Sequence, residues 1–264
     1  MTNTYFSLIE DRNDGGRYLA DAATGGPWDP GLQHGGPPNA LLVRTAERAA
    51  AAESGRTDLV ASRLAAEFVG PVPVAEVSTS AVVVRSARSG VLVDVTLTAD
   101  DRDCLHGRVW LIRDADTRSI ASTARPPKEP PDGAPRFGFS FPYSDSIDWH
   151  EVSGSITVPG PGAVWARPRR PLVLDEALTG LQRVALIGDS ASGISAELDW
   201  ATWSFLNVDL DIHLTRPFAG EWVHMDAVTQ LGTHGAGLAR SIVSDRYGPV
   251  ATTAQTLVIA PRRR

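Results

Sequence analysis

Lysine is almost absent from this 264-residue chain: Lys128 is the only one among 25 basic residues. Nearly all positive charge is therefore arginine, which with many Ala, Gly and Val residues reflects a GC-rich genome more than a function. Cysteine is equally scarce. Cys104 stands alone, which excludes an intramolecular disulfide and a cysteine-based metal cluster. It reads as a small core residue and not as a reactive thiolate. A basic excess is also missing. The 31 acidic residues outnumber the basic ones and leave a net charge of −6, against the broad cationic surface that nucleic-acid binding needs. No apolar run approaches the roughly 20 residues of a membrane-spanning helix. Met1-Thr2-Asn3-Thr4-Tyr5-Phe6 carries neither the basic region nor the apolar core of a signal peptide. His213, His224 and His234 are spaced unlike any zinc-ligand motif. These absences leave a cytoplasmic protein, expected to hold no metal and no cofactor, with 42% hydrophobic and 21% charged residues as in ordinary globular chains.

The chain repeats itself weakly. Ala40-Leu41-Leu42-Val43-Arg44-Thr45-Ala46 has a counterpart in Ala185-Leu186-Ile187-Gly188-Asp189-Ser190-Ala191. Glu67-Phe68-Val69-Gly70-Pro71-Val72 is echoed by Ile212-His213-Leu214-Thr215-Arg216-Pro217-Phe218, and Val109-Trp110-Leu111-Ile112 by Gln255-Thr256-Leu257-Val258-Ile259. The offset stays near 145, about the size of a small domain. Only the second copy is chemically equipped in these segments, with Asp189 and Gln255.

Each half reads as one helix followed by strands. The loop Gly31-Leu32-Gln33-His34-Gly35-Gly36-Pro37-Pro38 precedes an alanine-rich helix expected over 39–53, since proline suits a first helical turn. Ser54-Gly55 ends it. Strands follow at 64–69, 77–85, 91–98 and 105–112; in the third, Val91, Val93, Val95 and Leu97 alternate with Leu92, Asp94, Thr96 and Thr98. A proline-dense stretch then reads as a stiff surface connector. In the second half, strands are expected at 147–158 and 162–167, a helix over 175–191 with Asp175 and Glu176 in its first turn, and strands at 203–214, 222–231, 236–245 and 250–260. The halves are thus residues 1–125 and 145–264, with a linker at 126–144. Pro261-Arg262-Arg263-Arg264 reads as a solvated basic end.

Taken in order, several pieces resemble one family. They are Trp28 with His34-Gly35-Gly36 before the first helix, Phe68-Val69-Gly70-Pro71, Trp165-Ala166-Arg167, Leu186-Ile187-Gly188-Asp189-Ser190-Ala191-Ser192-Gly193, Asn207-Val208-Asp209-Leu210 with Arg216-Pro217-Phe218 and Glu221-Trp222, and Ala254-Gln255-Thr256. Together they resemble the acyl-CoA thioesterase II group of the thioesterase-like superfamily. The resemblance implies an α+β double hot-dog fold, two tandem helix-plus-antiparallel-sheet halves forming one continuous sheet. It implies hydrolysis of acyl-CoA or a related thioester, and assembly into homo-oligomers. In that family the site is an Asp, a Thr and a Gln. Asp189 and Gln255 match; Asn207 stands where the family has Thr. The family match makes Asp189, Asn207 and Gln255 the candidate catalytic residues; their first-half counterparts by the internal repeat, Arg44, about Ala61, and Val109 or Trp110, do not repeat the acid–amide set, so one site per chain is expected. His34, Gly35, Gly36 and Arg167 are the candidate substrate-binding residues. A thioester carbonyl accepts direct attack by water, which needs a base and a stabilised oxyanion. Without the resemblance Asp189 is a polar helix residue, Gln255 a strand-surface residue and Arg167 a partner for local acids.

Three other classes remain open, one of them a hot-dog hydratase or dehydratase, which needs an Asp and a His close together on a helix start, where the second-half helix has no His. Gly188-Asp189-Ser190 looks like the block that carries the nucleophile in a group of serine esterases, although no late Asp-x-x-His follows and Gly-x-Ser-x-Gly is absent. The same fold can also bind acyl-CoA or an acyl carrier without catalysis.

Overall fold

The computed structural model describes residues 3–122, 126–127 and 137–262. Much of the expected linker, residues 128–136, lies outside this set.

Two strands open the chain, β1 (Phe6–Arg12) and β2 (Gly15–Ala20), followed by helix α1 (Gly36–Ser54). Then come β3 (Leu59–Phe68), β4 (Glu76–Ala87), β5 (Gly90–Ala99) and β6 (Arg102–Arg113). The second half runs β7 (Ile147–Ser155), β8 (Val158–Pro168), α2 (Gly180–Gly188), α3 (Ala191–Ile194), β9 (Trp203–Asn207), β10 (Asp209–Leu214), β11 (Val223–Leu231), β12 (Ala236–Asp245) and β13 (Gly248–Pro261). All strands join one antiparallel sheet in the order β1-β2-β4-β5-β6-β3-β10-β13-β12-β11-β8-β7, with β9 paired to β13. The order on one side of the β3–β10 seam mirrors that on the other. This is the double hot-dog architecture. It includes β1 and β2, for which the sequence reading held no strands.

Helix α1 begins at Gly35 with prolines in its first turn and ends on Gly55 at φ 63°, the left-handed cap that glycine favours. Its small residues let it lie close to its neighbours: Leu41, Leu42, Val43, Ala46 and Ala50 are fully buried. The inward set of β5, Val91, Val93, Val95 and Leu97, is buried as its alternation requires. Helices α1 and α2 pack on each other between the half-sheets. The approach is so close that a Cβ on Gly36 would lie 2.1 Å from the Leu186 carbonyl oxygen.

The second helix is shorter than expected. It starts after Thr179, whose hydroxyl accepts the Gln182 N–H while the Gln182 side chain returns to the Thr179 N–H. This capping box outcompetes Asp175 and Glu176 as the start signal. Asp175 instead has φ 61°, and Glu176 pairs with Arg44 at 2.6 Å. Ser190 N–H bonds back to the Ile187 carbonyl and starts α3, so the helix breaks at Asp189. The strand expected over 203–214 is broken too, at Val208, between β9 and β10.

Candidate active site

Asp189 sits at the helix break, where its side chain is freed from both α2 and α3 and points inward; it is 5% exposed. Gln255 lies on the inward face of β13 and is fully buried. Asn207 is the last residue of β9, opposite Leu257. The break at Val208 turns it toward the helix. Just beyond it, Asp209 is held by the Thr256 backbone N–H and hydroxyl.

These three side chains meet directly. Asp189 Oδ1 accepts the Asn207 Nδ2–H at 2.9 Å and the Gln255 Nε2–H at 3.1 Å. Gln255 also donates to the Asp189 carbonyl at 3.1 Å, and its own Oε1 accepts the Ser192 N–H at 3.3 Å. Asn207 is fixed by a second donation to the Asp209 carbonyl at 3.1 Å. Both amides therefore have one orientation, and both converge on one carboxylate oxygen. The other oxygen, Oδ2, is 3.3 Å from His34 Nδ1.

The opposite half supplies the other wall. The start of the 19-residue helix α1 abuts Asp189: a Cβ on Gly35 would lie 2.7 Å from each carboxylate oxygen and 2.6 Å from the Phe68 ring. Only glycine admits this approach, which puts the positive end of α1 against the carboxylate. Pro37 and Pro38 donate nothing, and the Gly36 N–H donates to His34 Nδ1 at 3.1 Å. Among the described residues the Gly35 N–H has no acceptor. The Gly36 contact leaves the lone pair on Nδ1 and the proton on Nε2. His34 stacks flat on Tyr143, 3.8 Å between centroids at 4°. Burial pushes the imidazole below its ordinary pKa, with Asp189 pulling the other way, so His34 is neutral at pH 7.

A cavity of about 420 Å³ opens onto this cluster; Asp189, Asn207, His34 and Gly35 line it. Its remaining wall is mostly apolar and aromatic. Part of that wall comes from Phe137 and Phe141, in the stretch read as a surface connector. Tyr143 beside them is fully buried, its hydroxyl donating to the Leu186 carbonyl at 2.6 Å. The sequence did carry a signal here: Phe137, Phe139, Phe141 and Tyr143 alternate with Gly138, Ser140 and Pro142, a period-2 pattern hidden by the prolines around it. Trp149, Trp200 and Phe205 also line the cavity and carried no motif.

Arg167 is not brought to this cavity. It lies on β8, bonded to Asp148 at 2.8 Å and stacked on Trp222. Ser190 is 8% exposed, 3.3 Å from the Tyr143 hydroxyl. Among the described residues no imidazole bonds to it. Asp211 pairs with Arg63 at 3.2 Å. No group of three or more potential metal ligands occurs among the described residues, and no helix among them is long and apolar enough to cross a membrane.

The first half has no equivalent set. Arg44, the counterpart of Asp189, lies mid-helix and only 2% exposed. It is bonded to both Glu176 oxygens at 2.6 Å and to the Tyr18 hydroxyl at 2.9 Å.

A continuous sheet around two helices, with a carboxylate gripped by two amides against the other half's helix start, defines a double hot-dog protein of the thioesterase kind. Two family models match it: the acyl-CoA thioesterase N-terminal domain over residues 24–112 and the C-terminal domain over residues 121–259. The chain belongs to the acyl-CoA thioesterase family. Among solved structures it is similar to the tesB protein of Mycobacterium avium subsp. paratuberculosis, at 15% identity over 96% of each chain and a TM-score of 0.72. It is similar to the acyl-CoA thioesterase II TesB2 of Mycobacterium marinum, at 15% identity, 97% of this chain and 95% of that one, and a TM-score of 0.72. A hot dog fold protein of unknown function from Alicyclobacillus acidocaldarius gives 17% identity, 96% of each chain and a TM-score of 0.73. At these identities the likeness establishes the fold. No curated protein matches the chain significantly.

Proposed function

We propose that the chain hydrolyses acyl-CoA or a related acyl thioester by direct attack of water, with Asp189 as the base. The observation that carries this reading is the division of labour on one carboxylate. Asn207 and Gln255 both hold Oδ1. Oδ2 receives no amide and belongs to a residue that lines the cavity. A base needs such a fixed oxygen with a free lone pair.

The step balances without a cofactor. Water oxygen attacks the thioester carbonyl carbon as its proton passes to Asp189 Oδ2. His34 Nδ1 lies 3.3 Å from that oxygen. The carbonyl oxygen becomes an oxyanion, for which the Gly35 N–H at the α1 start is the available donor. Collapse breaks the C–S bond; the departing thiolate takes the proton held by Asp189, which restores the carboxylate, and free acid and thiol leave. Asn207 serves where the family's Thr would stand: it donates to the carboxylate, a role its amide fills as a hydroxyl would.

Thiol release from coenzyme A thioesters of graded acyl length tests the proposal. Steady turnover is the expected result. Tight acyl-CoA binding without turnover would replace it with the binding-protein reading.

A further inference from the structure

The cavity wall is unusual for a chain with 7% aromatic residues: three of its seven tryptophans and four of its seven phenylalanines line this one space. The rings are locked on one another in two groups. In the first, Trp28, Trp200 and Phe205 pack mutually at 4.6–5.1 Å, with Phe139 at 5.2 Å from Trp200. In the second, Phe137 stacks on Trp149 at 4.9 Å and 17°, and Phe141 lies 6.1 Å from both His34 and Tyr143. Phe139 and Phe141 join the groups at 5.6 Å. The alternating segment 137–143 thus straps both groups together. Phe68 adds a further ring next to Gly35.

We propose that the acyl group this cavity takes carries an aromatic ring, as an arylacetyl or arylpropionyl thioester does, with the ring against the aromatic wall and the carbonyl at Asp189. The inference rests on the thioesterase reading and names its substrate class. Aliphatic side chains would bury a straight alkyl chain equally well by area. Interlocked rings add something area does not: fixed faces and edges that favour an offset or edge-on partner ring. A ring on a one- or two-carbon tether also loses fewer rotamers on binding than an alkyl chain of equal carbon number.

The test compares phenylacetyl-CoA, cyclohexylacetyl-CoA and octanoyl-CoA on the purified full chain. Each acyl group has eight carbons, and the cyclohexyl group keeps ring shape without the π system. The expected kcat/KM is about 2- to 10-fold higher for phenylacetyl than for cyclohexylacetyl, the range a ring–ring contact supplies. Phe141→Leu and Trp200→Leu should each move that ratio toward one. Equal or reversed ratios, with turnover of all three, would overturn the aromatic inference and leave the thioesterase reading standing. Absence of turnover for every thioester would overturn the thioesterase reading instead. Ring preference is then read from binding, by quenching of the Trp28, Trp149 and Trp200 fluorescence. Equal affinities for the phenyl and cyclohexyl esters would overturn the inference there too.

Discussion

At the scale of single residues, the candidate site is built from atoms that admit little variation. Gly35→Ala puts a methyl group within 2.7 Å of both Asp189 oxygens. The carboxylate is the movable partner, so it shifts, and a displacement of this size should lower kcat about 10²-fold. The stability loss should be about 1–3 kcal/mol. Steady-state kinetics with a parallel thermal melt checks both; unchanged kcat would mean that Asp189 works from another position. Ser190→Ala should cost less than threefold in kcat, because the hydroxyl only contacts Tyr143. Loss of activity with an acyl-serine adduct visible by mass spectrometry would contradict water attack. His34 gives a pH signature. Its folded pKa lies below 6.5, so the unfolded chain binds the proton first as pH falls. The contribution to stability is therefore complete above pH 6.5 and is lost as pH drops through the lower folded value. Thermal melts between pH 5 and 7 should show a steeper acid loss in the natural chain than in His34→Gln. Parallel curves would contradict the assignment.

At the scale of elements, two breaks build the site. Helix α1 runs uninterrupted past Arg44, whereas the second-half helix stops at Asp189. Strand β3 is continuous, whereas its counterpart divides at Val208. Neither break has a strong sequence signal. The alternation in β5 and the Gly55 cap were legible because each is a local consequence of backbone geometry. The helix end at Gly188 was not, since Ala185-Leu186-Ile187 continues apolar through it and tertiary contact decides where it stops. The start at Thr179 was legible in principle, as the capping pair Thr179 and Gln182, but the acidic Asp175-Glu176 competed with it. The meeting of Asp189, Asn207 and Gln255 was expected from resemblance; that both amides bond to one oxygen was not, because it depends on the Val208 break. Glu47 shows how the helices are coupled. It accepts from the Thr179 hydroxyl at 2.8 Å and from the Gln182 amide at 2.6 Å. Desolvation between the helices pushes it up to about 7. Since the folded chain keeps this proton longer than the unfolded one, stability declines as pH rises from 4.5 toward 7. Glu47→Gln removes that loss and should gain about 1–2 kcal/mol at pH 8, discounted for partial exposure, and less at pH 5. Denaturant melts at the two pH values check it; an equal change at both would contradict the cause.

At the scale of the whole molecule, the chain is a pseudo-dimer whose halves have diverged in charge. One helix start faces Asp189. Near the other, Thr179 bonds Glu47, and the buried Arg44 is neutralised by Glu176. The first half holds no equivalent acid–amide set, and the candidate site takes its close-packed glycine from that half. The division into halves at 1–125 and 145–264 remains our proposal, consistent with the mirrored strand order. So does assembly of further copies: β1 and β7 are the end strands of the sheet, the β1 edge being covered in part where the Phe6 N–H donates to the Leu172 carbonyl. Light scattering at micromolar concentration should therefore give a species larger than the 28.2 kDa chain. The central claim, that a carboxylate directing water performs the chemistry, is tested most directly by kcat for thioester hydrolysis in Asp189→Asn. Asparagine is nearly isosteric and leaves the fold and acyl-CoA binding in place, and the lost interaction acts mainly in the transition state. The account predicts a fall in kcat of about 10²–10⁴-fold with acyl-CoA affinity within a few fold of the natural chain. Undiminished kcat in Asp189→Asn would contradict it.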